Sequence, residues 1–180
     1  MLADLDATAA RAASPDRTVR PAWFATYALA VALWVGGTAV FTFLVTPILF
    51  RSFPRDLAGA IVGVLLPAYF PSVLAISAIS LVAFLAATRD RSGASRRLSL
   101  ALLCAALAVS GCVYFKVYPD AVAVKRQVAS FERESPDSPA RKEFARLHGV
   151  SMALNLFVVA DAVALVLLLP AVGRAGLERR

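Results

Sequence analysis

Four long apolar runs, separated by short polar connections, decide what this chain can be. Each is long enough to cross the ~30 Å hydrocarbon layer of a bilayer as a helix. In lipid every backbone amide and carbonyl must find its partner within the segment, so the runs fold as helices and not as isolated strands. The totals agree: 59% of the residues are hydrophobic and 17% are charged, with a mean hydropathy of +0.71. A soluble domain is nearer half apolar and a quarter charged, so the excess requires an apolar solvent. The expected architecture is an all-α bundle of four transmembrane helices, with spans at about 22–46, 57–88, 98–117 and 144–172 inside one membrane domain, 21–172.

The net charge of +7 does not point to nucleic acid, because the Lys and Arg residues occupy the connections, where they face lipid headgroups. Residues 1–20 are polar and Ala-rich and read as a disordered tail; 173–180 form a short basic tail. The first apolar run is too long for a cleavable signal and is expected to act as an uncleaved anchor. In a four-span arrangement the tails and the second loop hold 10 Lys+Arg and the other two loops hold nine. Dense arginines at Arg89, Arg91, Arg96 and Arg97 tip the positive-inside rule toward both termini in the cytoplasm, in a cell inner (plasma) membrane.

Within the spans, Ala28, Ala32 and Gly36 repeat every four residues, as do Cys104, Ala108 and Cys112, two ladders of small side chains suited to helix contact. The cysteines lie about 12 Å apart along one helix and cannot bridge each other. Span one is expected to break at Thr46-Pro47. Span two contains Pro67 and Pro71, each of which removes an amide donor and frees a carbonyl, so a kinked helix is expected. Gly59 and Gly63 just before it mark a place for a close-packed neighbour. After Pro119-Asp120, the stripe Ala121, Val124, Val128, Phe131 predicts an amphipathic extramembrane helix within 120–143. Ser138 and Pro139 suit a helix start, so spans three and four should project past the membrane as a helical hairpin.

The last span carries the candidate site. On a helix turning about 100° per residue, Phe144, His148, Ser151 and Asn155 share an arc of roughly 60°. His148, the one histidine of the chain, falls near the surface and Asn155 about 10 Å deeper. Arg51, Tyr69 and Tyr114 are placed to join this edge at the bundle mouth, together with Arg55, Asp56, Lys116 and Tyr118. Asp161 sits at mid-span, about 110° around the helix from the centre of that arc. A carboxyl there costs about 2.5–3.5 kcal/mol on insertion scales, so it should face the bundle interior. Thr38, Ser77, Ser80 or Ser110 of a neighbouring span are its expected hydrogen-bond partners.

The Phe-x-x-Leu-His-Gly-x-Ser-x-x-x-Asn-Leu pattern at Phe144–Leu156 resembles the transmembrane protein 205-like family. Pro54-Arg-Asp-Leu-Ala-Gly59 and Leu66-Pro-Ala-Tyr-Phe70 are similar to it as well, although the family more often has Phe where this chain has Leu66. Leu33-Trp-Val-Gly-Gly37 with Pro47 gives a fainter likeness to copper-resistance D type membrane domains. The resemblance implies a four-span fold and brings no established activity.

No phosphate loop, nucleophile elbow or zinc-protease motif is present, so no enzyme is expected. One histidine is too few for an ordinary haem pair, and His148 with Met152 is a sparse copper pair; no cofactor and no metal site are expected. The sequence therefore reads as a non-enzymatic membrane component in contact with lipids, with a second copy or another membrane protein as partner. Two alternatives stand beside it: a small transporter or ion-permeation protein using Asp161 and the polar edge of span four, and a metal or redox module at His148.

Overall fold

The computed structural model describes residues 21–174, so both tails lie outside the described residues. Four helices follow one another: α1 (Pro21–Ser52), α2 (Arg55–Ala87) and α3 (Ala94–Lys125), then α4 (Pro139–Arg174). Each is long and apolar enough to span a membrane. They alternate in direction around a closed ring: α1 packs on α2, α2 on α3, α3 on α4, and α4 returns to α1.

Along the axis the ring buries Tyr27, Val31 and Trp34 of α1, Phe84 of α2, Leu103 and Ala106 of α3, and Val158, Ala162 and Leu165 of α4. Its outside is apolar too. Val64, Phe115 and Leu167 are 78%, 72% and 74% exposed. In water so much uncovered apolar surface would drive aggregation; facing acyl chains it costs nothing. The chain is a four-helix membrane protein.

Both prolines of α2 lie inside one continuous helix of 33 residues. At 1.5 Å per residue that is about 50 Å, well beyond the hydrocarbon thickness, so its end turns stand outside the core of the bilayer. The glycine pair before them serves a purpose other than helix packing. Lys125 at the end of α3 lays its side chain over Gly59 and Gly63 and donates from Nζ to the Gly59 carbonyl at 2.7 Å. A Cβ on Gly63 would stand 3.3 Å from that ammonium, so the bare backbone makes room for a snorkelling lysine.

The expected break at Thr46-Pro47 is replaced by a wider turn. Residues Val40–Val45 form a π-helical turn, and the helix runs on through Pro47 to Ser52. Pro119 in α3 is accommodated in the same way, behind a π-helical turn at Val113–Val117. A proline ring collides with the carbonyl four residues back; widening the preceding turn by one residue moves that carbonyl aside. In both helices the π turn ends two residues before the proline.

The small-residue ladders face outward. Ala32, Gly36, Cys104, Ala108 and Cys112 are exposed, and a Cβ on Gly36 would meet nothing within 4 Å. Inside the ring the large side chains of Tyr27, Trp34 and Phe84 pack with other small residues, Ala83, Ala106 and Ala162.

At this end of the bundle α3 and α4 are joined level with the first turns of α2; Lys116 pairs with Asp120 at 3.0 Å and Glu143 with Arg146 at 2.6 Å. The expected amphipathic helix is only partly formed: α3 ends at Lys125, and 126–138 is a strap of turns. Asp56, in the first turn of α2, is what draws the strap out of helical form. Its carboxylate accepts the Ser130 hydroxyl at 2.6 Å and the Phe131 amide at 2.7 Å. Glu132 Oε1 in turn accepts the Arg55 amide at 2.9 Å, one of the orphan donors at that helix start. The apolar stripe keeps its purpose without its helix, since Val128 is buried and Phe131 packs on Phe144 at 4.9 Å between ring centres. Pro139 opens α4, with Ser138 Oγ accepting the Arg141 amide at 3.4 Å.

This latch has a testable consequence. Asp56→Ala leaves the Ser130 hydroxyl and the Phe131 amide without their acceptor, so amide hydrogen exchange across 126–134 should quicken while exchange in the middle of α2 and α4 stays as it was. Strap exchange unchanged in the variant would mean that Phe131 and Val128 hold the strap by packing alone.

Candidate functional site

Two polar constellations lie inside the ring at different depths. The upper one contains Asn155, on the polar edge of α4. Its amide nitrogen donates to Thr42 Oγ1 of α1 at 2.8 Å, and its carbonyl oxygen accepts the Tyr69 hydroxyl of α2 at 2.8 Å. Tyr69 also stacks on Phe41 with ring centres 4.2 Å apart. α2 and α4 stand diagonally across the ring and make no close backbone approach. The tyrosine therefore spans the centre of the bundle and ties three helices through one asparagine. All three side chains are half-buried, and each hydrogen bond replaces one that lipid could not supply.

Thr42 is the member that sequence reasoning missed. It lies within the π-helical turn of α1. A turn of different pitch changes which side chains face inward, and only the Pro47 that follows hints at it.

The rest of the expected mouth cluster does not assemble. His148 is exposed and lies flat against Phe144, with ring centres 5.8 Å apart and planes at 8°. Arg51 is exposed, Tyr114 packs edge-on against Phe115, and Ser151 makes no side-chain hydrogen bond among the described residues. Asp56 and Lys116, assigned to the mouth, are occupied by the strap and by Asp120.

The lower constellation centres on Asp161. The carboxyl is 4% exposed and faces the interior, as its cost in lipid requires. Its expected partners do not reach it. Thr38 donates to the Trp34 carbonyl at 2.7 Å, Ser77 to Leu74 at 2.8 Å and Ser80 to Ile76 at 2.8 Å, each satisfied by its own helix. Short hydroxyl side chains in a helix reach the carbonyl one turn back more readily than a neighbouring helix. Among the described residues both Asp161 oxygens are left without a hydrogen-bond partner, as are Ser110 Oγ, Tyr27 Oη, Ser99 Oγ and Trp34 Nε1. Tyr27 and Ser99 are fully buried nearer the ends of α1 and α3. Neither Tyr27 nor Ser99 was a sequence candidate, because each reads as an ordinary residue near the end of its span.

Below this level the helix ends are tied by arginines of the second loop. Arg96 Nε donates to the Thr88 carbonyl at 3.1 Å, and Arg91 donates to the Val172 carbonyl of α4. Burial alone pulls the pKa of Arg91 below the ordinary arginine value. Gly93, at φ 144°, supplies the turn that brings α3 back against α2, a conformation that a side chain would strain.

Residues 29–130 match a family model described as a domain of unknown function, DUF4149. That is more than half of the chain. The chain belongs to the DUF4149 family. The match takes in most of α1, all of α2 and α3 and the first part of the strap, so Thr42, Tyr69 and Ser99 fall within it. Asn155 and Asp161, on α4, lie beyond its end. No curated protein and no solved structure matches the chain.

What the DUF4149 fold can do chemically follows from the two constellations. The upper one is a satisfied network with no free acid, base or nucleophile. The lower one is a buried acid without a hydrogen-bond partner among the described residues. Among the described residues no group of three or more His, Cys, Asp or Glu side chains is placed to hold a metal ion.

Proposed function

We propose that this protein is a non-enzymatic component of the inner (plasma) membrane, with both termini in the cytoplasm, whose polar residues chiefly serve the cohesion of its own helices. The observation that carries this reading is the Tyr69–Asn155–Thr42 network, in which the polar edge of the last span spends its hydrogen bonds on two other helices. Lipid is the partner that the apolar exterior suits, and a second copy or another membrane protein fits the outward-facing small residues of α1 and α3. The Phe144–Leu156 pattern supports kinship with the transmembrane protein 205-like family, and the Leu33–Gly37 stretch a more distant one with copper-resistance D type domains.

The transporter reading keeps one observation in its favour, the unpartnered carboxyl of Asp161. The metal or redox reading rests on His148 alone, and optical spectra with metal analysis of the purified protein test it. Reconstitution in vesicles separates the first two. The expected result is no proton or monovalent-cation flux above protein-free vesicles, for the natural protein and for Asp161→Asn alike. Flux present in the natural protein and abolished by Asp161→Asn would replace the cohesive reading with the transporter.

A further inference from the structure

A cleft stands open where the turn between α1 and α2 meets the strap. It is a cavity of about 450 Å³ lined by Phe53 and Arg55 at the turn, Phe131, Glu132 and Glu134 of the strap, and Arg141 of α4. The strap is fastened here largely through backbone atoms, which leaves charged side chains over. Arg55 gives its amide, not its guanidinium, to Glu132 Oε1 at 2.9 Å. Glu134 Oε2 accepts the Ala129 amide at 3.1 Å. The Arg141 guanidinium lies over the Phe131 ring, 5.8 Å from its centre, and donates to the Glu134 carbonyl. Among the described residues neither Arg55 nor Arg141 pairs with a carboxylate, and each glutamate keeps one oxygen without a donor. We propose that this cleft binds the headgroup of a phospholipid that carries a primary ammonium, phosphatidylethanolamine.

The position selects a lipid. Ile48 and Phe50 before the turn and Leu57 after it are exposed apolar side chains, so the turn stands at the edge of the hydrocarbon, where the phosphates lie. The outer seam of α1 and α2 runs up to that same turn. It holds an apolar groove of about 460 Å³, lined on α1 by Gly36, Gly37, Val40 and Val45 and on α2 by Val73 and Ile76. The two glycines keep it open, since a Cβ on either would meet nothing within 4 Å. Val45 is eight residues before Phe53, about 12 Å deeper along the helix and within the ~15 Å half-thickness of the hydrocarbon layer. An acyl chain hanging from a headgroup at the turn therefore reaches the groove.

The charges select among headgroups. Two arginines and two glutamates leave the cleft with no net charge. A phosphodiester suits the guanidinium donors, and an ammonium two carbons away offers three N–H donors to the free carboxylate oxygens. Phosphatidylcholine carries the same charges, but its quaternary ammonium has no N–H to give. Phosphatidylglycerol has no cation at all and would set its anion beside two carboxylates. Ethanolamine is therefore preferred over both. This site requires lipid as the partner of the chain, which the apolar exterior suits. It does not require the cohesive reading of the core, since the cleft stands at the end of the bundle, clear of Asn155 and Asp161.

Native mass spectrometry of the full chain, released from nanodiscs of mixed dioleoyl phosphatidylethanolamine, phosphatidylcholine and phosphatidylglycerol, tests the site. The natural protein should retain one phosphatidylethanolamine severalfold more often than either other lipid. Arg55→Gln, which keeps the backbone amide that fastens the strap, should erase most of that retention. Glu132→Gln keeps an acceptor for the Arg55 amide and removes the charge, so phosphatidylethanolamine and phosphatidylcholine should then be retained alike. Soluble glycerophosphoethanolamine should not displace the lipid, because it lacks the chain that the groove takes. Displacement by it would make the ligand a free solute and overturn the assignment to lipid. Equal retention of the three lipids, a preference for phosphatidylglycerol, or an ethanolamine preference that both variants leave intact would overturn it as well. If Arg55→Gln does not fold, the ranking of lipids on the natural protein and the Glu132→Gln variant decide. Vesicle flux reads Asp161 and not this cleft, so the cohesive reading and the headgroup site can each fail alone.

Discussion

Asp161→Leu should make the bundle more stable, by about 1–3 kcal/mol, while removing a buried acid. The two side chains have the same number of heavy atoms, so the substitution changes polarity far more than volume. Asp161 is packed among Val158, Ala162 and Leu165, and neither of its oxygens has a partner to lose. On insertion scales an aspartate at the centre of a span costs about 2.5–3.5 kcal/mol, whereas leucine is favourable by about 0.5 kcal/mol. Part of that difference is offset by the extra width of the leucine branch, since overfilling a tight core costs about 1–3 kcal/mol. Reversible unfolding in mixed micelles, followed by circular dichroism, measures the change. Asp161→Asn is the companion variant: it retains a polar group in the same place and should stay within about 1 kcal/mol of the natural protein. A folded Asp161→Leu protein that is clearly less stable would show that the carboxyl makes bonds in the membrane that outweigh its burial. A gain in stability would instead mark Asp161 as a residue held at a cost to the fold.

Most of the architecture was legible because lipid leaves few choices. Apolar runs of spanning length can only be helices, and short connections make them alternate. The ends of the spans were harder, and for a definite reason. Thr46-Pro47 and Tyr118-Pro119 read as breaks because proline forbids the ordinary turn, yet both helices continue behind π-helical turns. One sequence cannot say whether a proline will end a helix or widen it. The strap misled in the opposite sense. Its stripe of Ala121, Val124, Val128 and Phe131 has helical spacing, but Asp56, some seventy residues away in the chain, competes for the Ser130 and Phe131 donors. Burial of Asp161 followed from its cost, and Asn155 followed from the polar edge of α4. Their partners did not. Tyr69 was a candidate without an assigned bond, Thr42 was hidden by the altered pitch of its turn, and the hydroxyls expected to meet Asp161 bond their own helices instead. The small-residue ladders show the limit of periodicity: spacing tells that residues share a face, and only the packed bundle tells which way that face looks.

Asn155→Ala is expected to be the most damaging single truncation among the polar residues of the core, with a loss of about 1–3 kcal/mol. The asparagine is the shared member of the upper network, so its removal strands two groups at once, the Tyr69 hydroxyl and the Thr42 hydroxyl. Thr42 can turn back to a carbonyl of its own helix, as Thr38 and Thr46 do. Tyr69 has no such retreat, because its phenol oxygen stands at the far end of a ring already fixed against Phe41. Most of the loss should therefore come from the tyrosine, and a double-mutant cycle isolates it. Tyr69→Phe combined with Asn155→Ala should give a coupling energy of about 0.6–1.7 kcal/mol, between the average and the largest values found for hydrogen bonds between membrane helices. Thr42→Val paired with Asn155→Ala should give less than half of that. Ser151→Ala, one turn up the same edge and without a partner, should change stability by no more than about 0.5 kcal/mol. Equal small effects at all four positions would mean that the network is incidental to the packing around it. A coupling concentrated in the Tyr69–Asn155 pair would mean that the diagonal contact between α2 and α4, which no backbone approach provides, is made by one hydrogen bond through the centre of the bundle.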